Sequence, residues 1–421
     1  MKSLINRIKK SFGPGVITGI ADDDPSGIAT YSQTGAMFGY GQLWLALFSY
    51  PFMVAIQEMC ARIGLVTGTG LAGILKKHYS RPILFGAIAL LAITNIMNIG
   101  ADLGAMASAT QLVLPIPFTW ALVILTAITI ITEVYIPYPK YVSFLKYLAL
   151  TVFAYIIAAF AVHQDWWHIA YDTLIPKMEW NSAYLLNITA MLGTTISPYL
   201  FFWQADEEVE EEIMHHKLRV MGRGVPKITK GDMAQMKADT VFGMFISNLV
   251  TFFIIITAAA TLGANGVTNV TSAAQVAESL RPLAGNFASL LFTLGIVGTG
   301  LLAVPVLAGS AAYAIAEAFN WKEGLSKTFT QAKGFYLIII LSTLVGILVN
   351  LSPINPMTML YYAAILNGLL APPLMILILL VANNKKVMGD KTNGKLGNFF
   401  GIIITVLMSS LTIYFFYNLL K

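Results

Sequence analysis

Charge is scarce in this sequence. Asp, Glu, Lys and Arg make up 11% of its 421 residues, whereas 57% are apolar. A soluble protein carries about 25% charged residues. The shortfall excludes a water-facing surface of this size, and with it a soluble enzyme, a disordered chain or a nucleic-acid-binding protein. The chain reads as an all-α integral membrane protein. Cysteine is nearly absent: Cys60 alone permits no intrachain disulfide, and no CxxC or Cys/His cluster points to zinc. Histidine is missing from membrane depth, because His78, His163, His168, His215 and His216 all fall in polar connecting stretches. A Walker A loop, an HExxH helix and a GxSxG elbow are absent too, so neither ATP hydrolysis nor membrane proteolysis is indicated. No enzyme activity and no cofactor are expected. The basic start, MKSLINRIKK, is followed by no cleavable signal pattern, since the next apolar stretch contains Asp22, Asp23 and Asp24.

What remains is a succession of apolar runs. A membrane-crossing helix needs about 20 mostly apolar residues. Eleven segments qualify, near 13–38, 44–66, 82–110, 117–136, 143–163, 183–205, 239–262, 286–318, 334–351, 356–383 and 397–419. The connecting segments test this count independently. The N-terminus and every second loop hold 23 Lys and Arg, while the alternate loops and the C-terminus hold Lys177, Arg281 and Lys421. Because cationic loops stay in the cytoplasm, this distribution predicts a cell-membrane protein with a cytoplasmic N-terminus and an external C-terminus. It also accounts for the net charge of +5 without an acidic partner. The chain reads as one transmembrane domain over residues 1–421. The longest cytoplasmic segment opens with the acidic run DEEVEEE (206–212), read as a solvated extension of span 6. The Trp- and Tyr-rich stretch 165–181 suits a membrane interface.

Two spans are interrupted. Span 1, GPGVITGIADDDPSGIATYSQTGAMFGYG, carries three acids, a proline and several glycines inside an otherwise apolar run. Span 6, LLNITAMLGTTISPYLFFWQ, centres on Pro198, flanked by Thr194, Thr195 and Ser197. Proline removes a backbone donor, and irregular backbone at this depth is tolerated where it lines a cavity or is buried in protein. Taking 13–163 and 183–383 as two repeats of five spans, with an extra helix at 397–419, both breaks fall in the first helix of a repeat. Five helices per repeat insert successive copies upside down, the pattern of secondary transporters that bind substrate between two broken helices. The plainer alternative is a pair of ordinary proline kinks.

Intramembrane acids are functional candidates, since an ionised carboxylate in the bilayer is costly. Three adjacent carboxylates cannot all point at one site. Asp24, directly before Pro25, stands at the break, while Asp22 and Asp23 could instead cap or hydrate the half-helix. Unwinding would free carbonyls of Ala21 and its neighbours, and such an oxygen set suits Mg²⁺, Mn²⁺ or Ca²⁺. Asp102, among small residues in NIGADLGAMASA, fits either a proton relay or a hydrogen-bonded structural acid. Glu58 and Arg62 have the spacing of a helical ion pair. Glu133 and Glu317 are expected to reach water near helix ends, and Asn367 to line the path.

In order along the chain, DPSGIAT, QEMCARIGLVTGTGLA, ADLGAMASA, TTISPYLFFWQ and a late MGD (388–390) resemble the motifs of the natural resistance-associated macrophage protein (Nramp) family of divalent-metal transporters. The resemblance implies the inverted-repeat fold of the bacterial leucine transporter. It places the metal-binding Asp on Asp24 and the family Asn on Gly27. The soft-ligand Met falls on Ser197, and the alanine whose carbonyl binds metal falls on Thr194. The two histidines of span 6 fall on Tyr199 and Gln204, and the span 3 acids on Asp102 and Ala105. The relay cations of span 9 have no counterpart in FYLIIILSTLVGILVN. Loss of the methionine also resembles the family's magnesium-carrying branch. The resulting expectation is a secondary transporter importing a divalent ion of the Mg or Mn class. Asp24, Ala21, Thr194 and Ser197 would be its ligands, Gly27, Tyr199 and Asn367 its path, and Asp102 a possible proton relay. The rival is transport of a small organic solute in a site widened at Gly27 and Ser197. A metal sensor has no soluble domain to support it. The expected partners are the transported cation or solute and the lipid bilayer.

Overall fold

The computed structural model describes residues 13–136 and 150–420. Lys2, Arg7, Lys9, Lys10, Lys140, Lys146, Lys421 and the start of span 5 lie outside the described residues. Span 1 is two helices, α1 (Pro14–Asp22) and α2 (Pro25–Phe38). There follow α3 (Trp44–Thr67), the short α4 (Leu71–His78), α5 (Arg81–Thr110) and α6 (Phe118–Tyr135). Next come α7 (Ala154–Ala161) and the peripheral α8 (Trp166–Leu174). Span 6 is again two helices, α9 (Ser182–Thr195) and α10 (Pro198–Met214). The remainder is α11 (Lys230–Thr261), α12 (Ala288–Phe319), α13 (Lys333–Leu348), α14 (Pro356–Ala382) and α15 (Lys395–Leu419). Nine described segments are long and apolar enough to cross a membrane. Split span 1 and the shorter apolar run Leu150–Ala161 hold the two remaining positions.

The two breaks share one cause. A proline disfavours helical backbone in the residue before it. Asp24 accordingly has ψ 173° before Pro25, and Ser197 has ψ 135° before Pro198. Each proline then starts the next helix, where its missing N–H costs nothing. The breaks are held by small-residue packing, which lets helix backbones approach closely in a membrane. A Cβ on Gly19 would overlap the Gly243 carbonyl, joining α1 to α11. A Cβ on Gly193 would overlap the Ala364 carbonyl, joining α9 to α14.

The cationic segments that are described gather at one end of the bundle. Asp239 accepts from Gly13 N and Gly15 N at 3.1 and 2.6 Å, and Lys77 Nζ donates to the Gly222 carbonyl at 3.2 Å. Lys76 Nζ reaches the Glu317 carbonyl at 3.1 Å, and Arg62 reaches Asn393 at 3.2 Å. Glu58 and Arg62 form the anticipated ion pair. Two expectations fail here. DEEVEEE does prolong α10, but Asp206, Glu207, Glu208, Glu210 and Glu212 are buried against neighbouring helices rather than solvated. Glu133 and Glu317 are buried as well. Glu317 accepts from Gly70 N and Gly73 N, both at 2.7 Å, and so satisfies the free amides that start α4.

Candidate functional site

The end of α1 leaves its last carbonyls without helical donors, and the start of α2 leaves its first amides without acceptors. Asp24 meets the second need. Its Oδ1 accepts from Gly27 N at 2.7 Å and from Ser26 Oγ at 2.6 Å, a helix N-cap. Its Oδ2 stays clear of the cap and faces Tyr199, whose hydroxyl lies 3.4 Å away. The same hydroxyl points at the Ala21 carbonyl, 3.2 Å away. Tyr199, in the first turn of α10, therefore bridges the two broken spans by touching two of the nominated oxygen ligands. Its tie to Asp24 and Ala21 has no periodic or motif signature in the sequence.

Across the junction, Ser197 Oγ donates to the carbonyls of Thr194 at 2.8 Å and Gly193 at 2.9 Å. Its proton is thus committed to the end of α9, which leaves the oxygen lone pairs as its free valence. The Thr194 hydroxyl comes to 3.4 Å of where a Cβ on Gly27 would stand. Tyr31 and the Asp22 carbonyl come to 3.2 and 3.3 Å of that same point. The room anticipated at Gly27 is therefore taken up by the Tyr31 ring.

Asp102 is fully buried, and neither of its oxygens has a hydrogen-bond partner. It lies in the field of Asp24 and of Tyr199, so α5 presents a second carboxylate to the junction. Asn367 has a different setting. It exchanges hydrogen bonds with Asn98 at 2.8 and 3.3 Å, tying α14 to α5. Asp22 and Asp23 turn the other way, toward α11, where Ser247 Oγ donates to Asp22 Oδ2 at 2.6 Å and lies 3.4 Å from Asp23 Oδ1. No Lys, Arg or His among the described residues forms an ion pair with Asp22, Asp23, Asp24 or Asp102. Nor do three or more acid, His or Cys side chains converge on one point among the described residues. The junction thus offers a carboxylate oxygen that is outside the helix cap and held by the Tyr199 hydroxyl, backbone carbonyls and hydroxyls, with a further acid nearby.

The profile of the natural resistance-associated macrophage protein-like family matches residues 15–418. The chain belongs to the Nramp family. Among Nramp relatives, a divalent metal cation transporter of Clostridium acetobutylicum is 28% identical over 432 residues, covering 97% of this chain and 90% of that one. Its namesake from Deinococcus radiodurans is 23% identical, covering 99% and 91%. A solved variant of the Eremococcus coleocola manganese transporter superposes with a TM-score of 0.74 at 17% identity, covering 96% of this chain and 85% of that one. The nucleobase-cation-symport transporter Mhp1, in a closed conformation, superposes with a TM-score of 0.56 at 15% identity, covering 96% and 92%. The fold is the leucine-transporter-like inverted repeat with spans 1 and 6 broken.

Proposed function

We propose that this Nramp-family chain is a secondary transporter that carries a divalent metal ion of the Mg or Mn class inward by alternating access. The observation that carries the reading is Asp24 Oδ2: a buried carboxylate oxygen at a helix break, free of its own cap and sharing the Tyr199 hydroxyl with the Ala21 carbonyl of the same break. An uncompensated charge at that depth is expensive and calls for a cation. Asp24, the Ala21 and Thr194 carbonyls and Ser197 Oγ would supply the protein's share of the ligands. Tyr199 would give way as the ion arrives, because its hydroxyl points at the same two oxygens. Family membership and the divalent-metal names of the relatives agree with this assignment.

The ligand set decides the ion class. Every available donor is oxygen, and a thioether, which would favour softer metals, is absent at Ser197. Mg²⁺ binds through one or two carboxylates while keeping several waters. Mg²⁺ should therefore be accepted beside Mn²⁺, with weak discrimination between them. Asp102 remains the candidate relay, without the partners that the family has at the position of Ala105 and in span 9, so little proton movement should accompany the metal. The organic-solute alternative needed space at Gly27, which Tyr31 and Thr194 fill. Uptake of Mg²⁺ and Mn²⁺ into proteoliposomes, set against a panel of amino and organic acids, tests the assignment. Metal uptake that vanishes in Asp24→Ala supports it, whereas uptake of an organic acid without any metal uptake overturns it.

A further inference from the structure

At the cationic end of the bundle, far along the chain from either break, a cavity of about 570 Å³ lies between α14, α15 and Tyr79, the residue that ends α4. Small-molecule sites usually measure about 300–1,000 Å³. The wall on α14 is a single stripe. Ile376, Leu379, Leu380 and Asn383 recur at the three- and four-residue spacing that lines up one face of a helix. From Ile376 to Asn383 that stripe runs about 10 Å into the bilayer. Ile402 faces it from α15. Ile376, Leu380 and Ile402 are each close to half exposed, on spans whose surroundings are hydrocarbon. Beside Ile402, Gly401 lets α15 close on its neighbours, since a Cβ there would come to 2.6 Å from Met59 and 3.0 Å from Leu379. The result is an apolar slot, open toward lipid and closed behind.

The mouth of the slot is polar and its rim is cationic. Tyr79 and Asn384 line the mouth and are hydrogen-bonded to each other. Asn383 exchanges amide hydrogen bonds with Asn398 at 2.8 and 2.7 Å, which fixes α14 against α15 there. Arg81 follows Tyr79 by two residues, Lys385 and Lys386 directly follow Asn384, and Lys391 and Lys395 lead into α15. All five are exposed, none forms an ion pair among the described residues, and Asp390 is the one acid in these two segments. Basic pockets between membrane helices bind anionic headgroups. We propose that this cavity is a specific site for an anionic glycerophospholipid, with an acyl chain along Ile376, Leu380 and Ile402 and the phosphate at Tyr79, Lys385 and Lys386. A zwitterionic lipid would fill the slot equally but would bring its own cation to a cationic rim. A soluble phosphate would meet the rim and leave the slot empty. The site does not rest on the cargo reading.

The test titrates dioleoylphosphatidylglycerol or dioleoylphosphatidylcholine into the purified, delipidated full-length protein and counts the retained lipids by native mass spectrometry. The proposal predicts one saturable phosphatidylglycerol, bound about tenfold or more tightly than phosphatidylcholine. Lys385→Gln and Lys386→Gln should each weaken phosphatidylglycerol by about fivefold and leave phosphatidylcholine unchanged. Ile402→Trp fills the slot and should weaken both lipids, whereas Ile413→Trp, exposed further along α15, should change neither. The lysine variants alter exposed positions, so they keep the test valid if Ile402→Trp fails to fold. Equal affinity for the two lipids would overturn the headgroup assignment, as would phosphatidylglycerol binding indifferent to both lysine variants. Undiminished binding by well-folded Ile402→Trp would overturn the slot. Glycerol 3-phosphate competing as effectively as the lipid would reveal a surface anion site and overturn the lipid assignment.

Discussion

Asp24 has two jobs, and its two oxygens divide them. Oδ1 caps α2 through Gly27 N and Ser26, while Oδ2 faces the Tyr199 hydroxyl, which also reaches the Ala21 carbonyl. Asp24→Asn keeps the cap, because an amide oxygen still accepts from Gly27 N. It removes the charge, so metal uptake should fall more than about tenfold, since even outer-shell partners of a metal cost that much. Near-normal uptake by well-folded Asp24→Asn would remove the residue from the binding site. Ser197→Met should shift preference toward Mn²⁺ and Cd²⁺, measured as the ratio of uptake rates against Mg²⁺, because thioether sulfur favours polarizable ions. An unchanged ratio would mean that position 197 does not face the ion. Asp24 was legible in the sequence because an acid before a proline inside an apolar run is hard to explain otherwise. The bonds of Tyr199 to Asp24 and of Ser247 to Asp22 were not, since a hydroxyl on a buried helix face carries no pattern that separates such a contact from ordinary packing. Gly27 misled, as a missing side chain predicts space only when nothing else moves in.

The broken helices work as elements because glycines press them against their neighbours. Gly19→Ala would drive a methyl group into the Gly243 carbonyl and should cost about 1–3 kcal/mol, as overpacking does. Gly86→Ala on α5 is the control: nothing lies within 4 Å of its Cβ position, so thermal stability should hold or rise. Equal melting temperatures for both variants would contradict the close α1–α11 contact. The loop between α12 and α13 carries Glu323, whose carboxyl is pushed up from 4.5 to about 9 by burial and by the neighbouring charge of Glu317. The folded protein then holds a proton that the unfolded chain releases near 4.5. This contribution is intact below that value and is lost progressively as pH rises toward 9. Glu323→Gln has no such loss, so its melting temperature should gain on the parent as pH is raised from 5 to 9. A constant difference across that range would place Glu323 in water. The buried run 206–212 shows why charge alone misread this end: seven residues cannot report which helices will cover them.

For the whole molecule, the count of eleven segments and the position of both breaks followed from runs of apolar residues and two prolines, signals that depend on the bilayer rather than on distant contacts. The described cationic segments lie together at one end, in keeping with their alternation. Labelling of single cysteines in a Cys60→Ala background should find the N-terminus protected inside intact cells and the C-terminus accessible outside. Both termini on one side would mean a miscounted span. The packing between spans was not legible, because it is set by which glycines and hydroxyls meet across helices far apart in sequence.

The central claim is that a divalent cation is carried at the junction of the two breaks through Asp24. Its most direct test is Mg²⁺ and Mn²⁺ uptake into proteoliposomes containing the parent chain or Asp24→Asn, with internal pH recorded at the same time. The account predicts uptake of both ions by the parent, little change in internal pH, and loss of both in the variant. Parent protein that carries neither ion, or Asp24→Asn that carries both unimpaired, would contradict it.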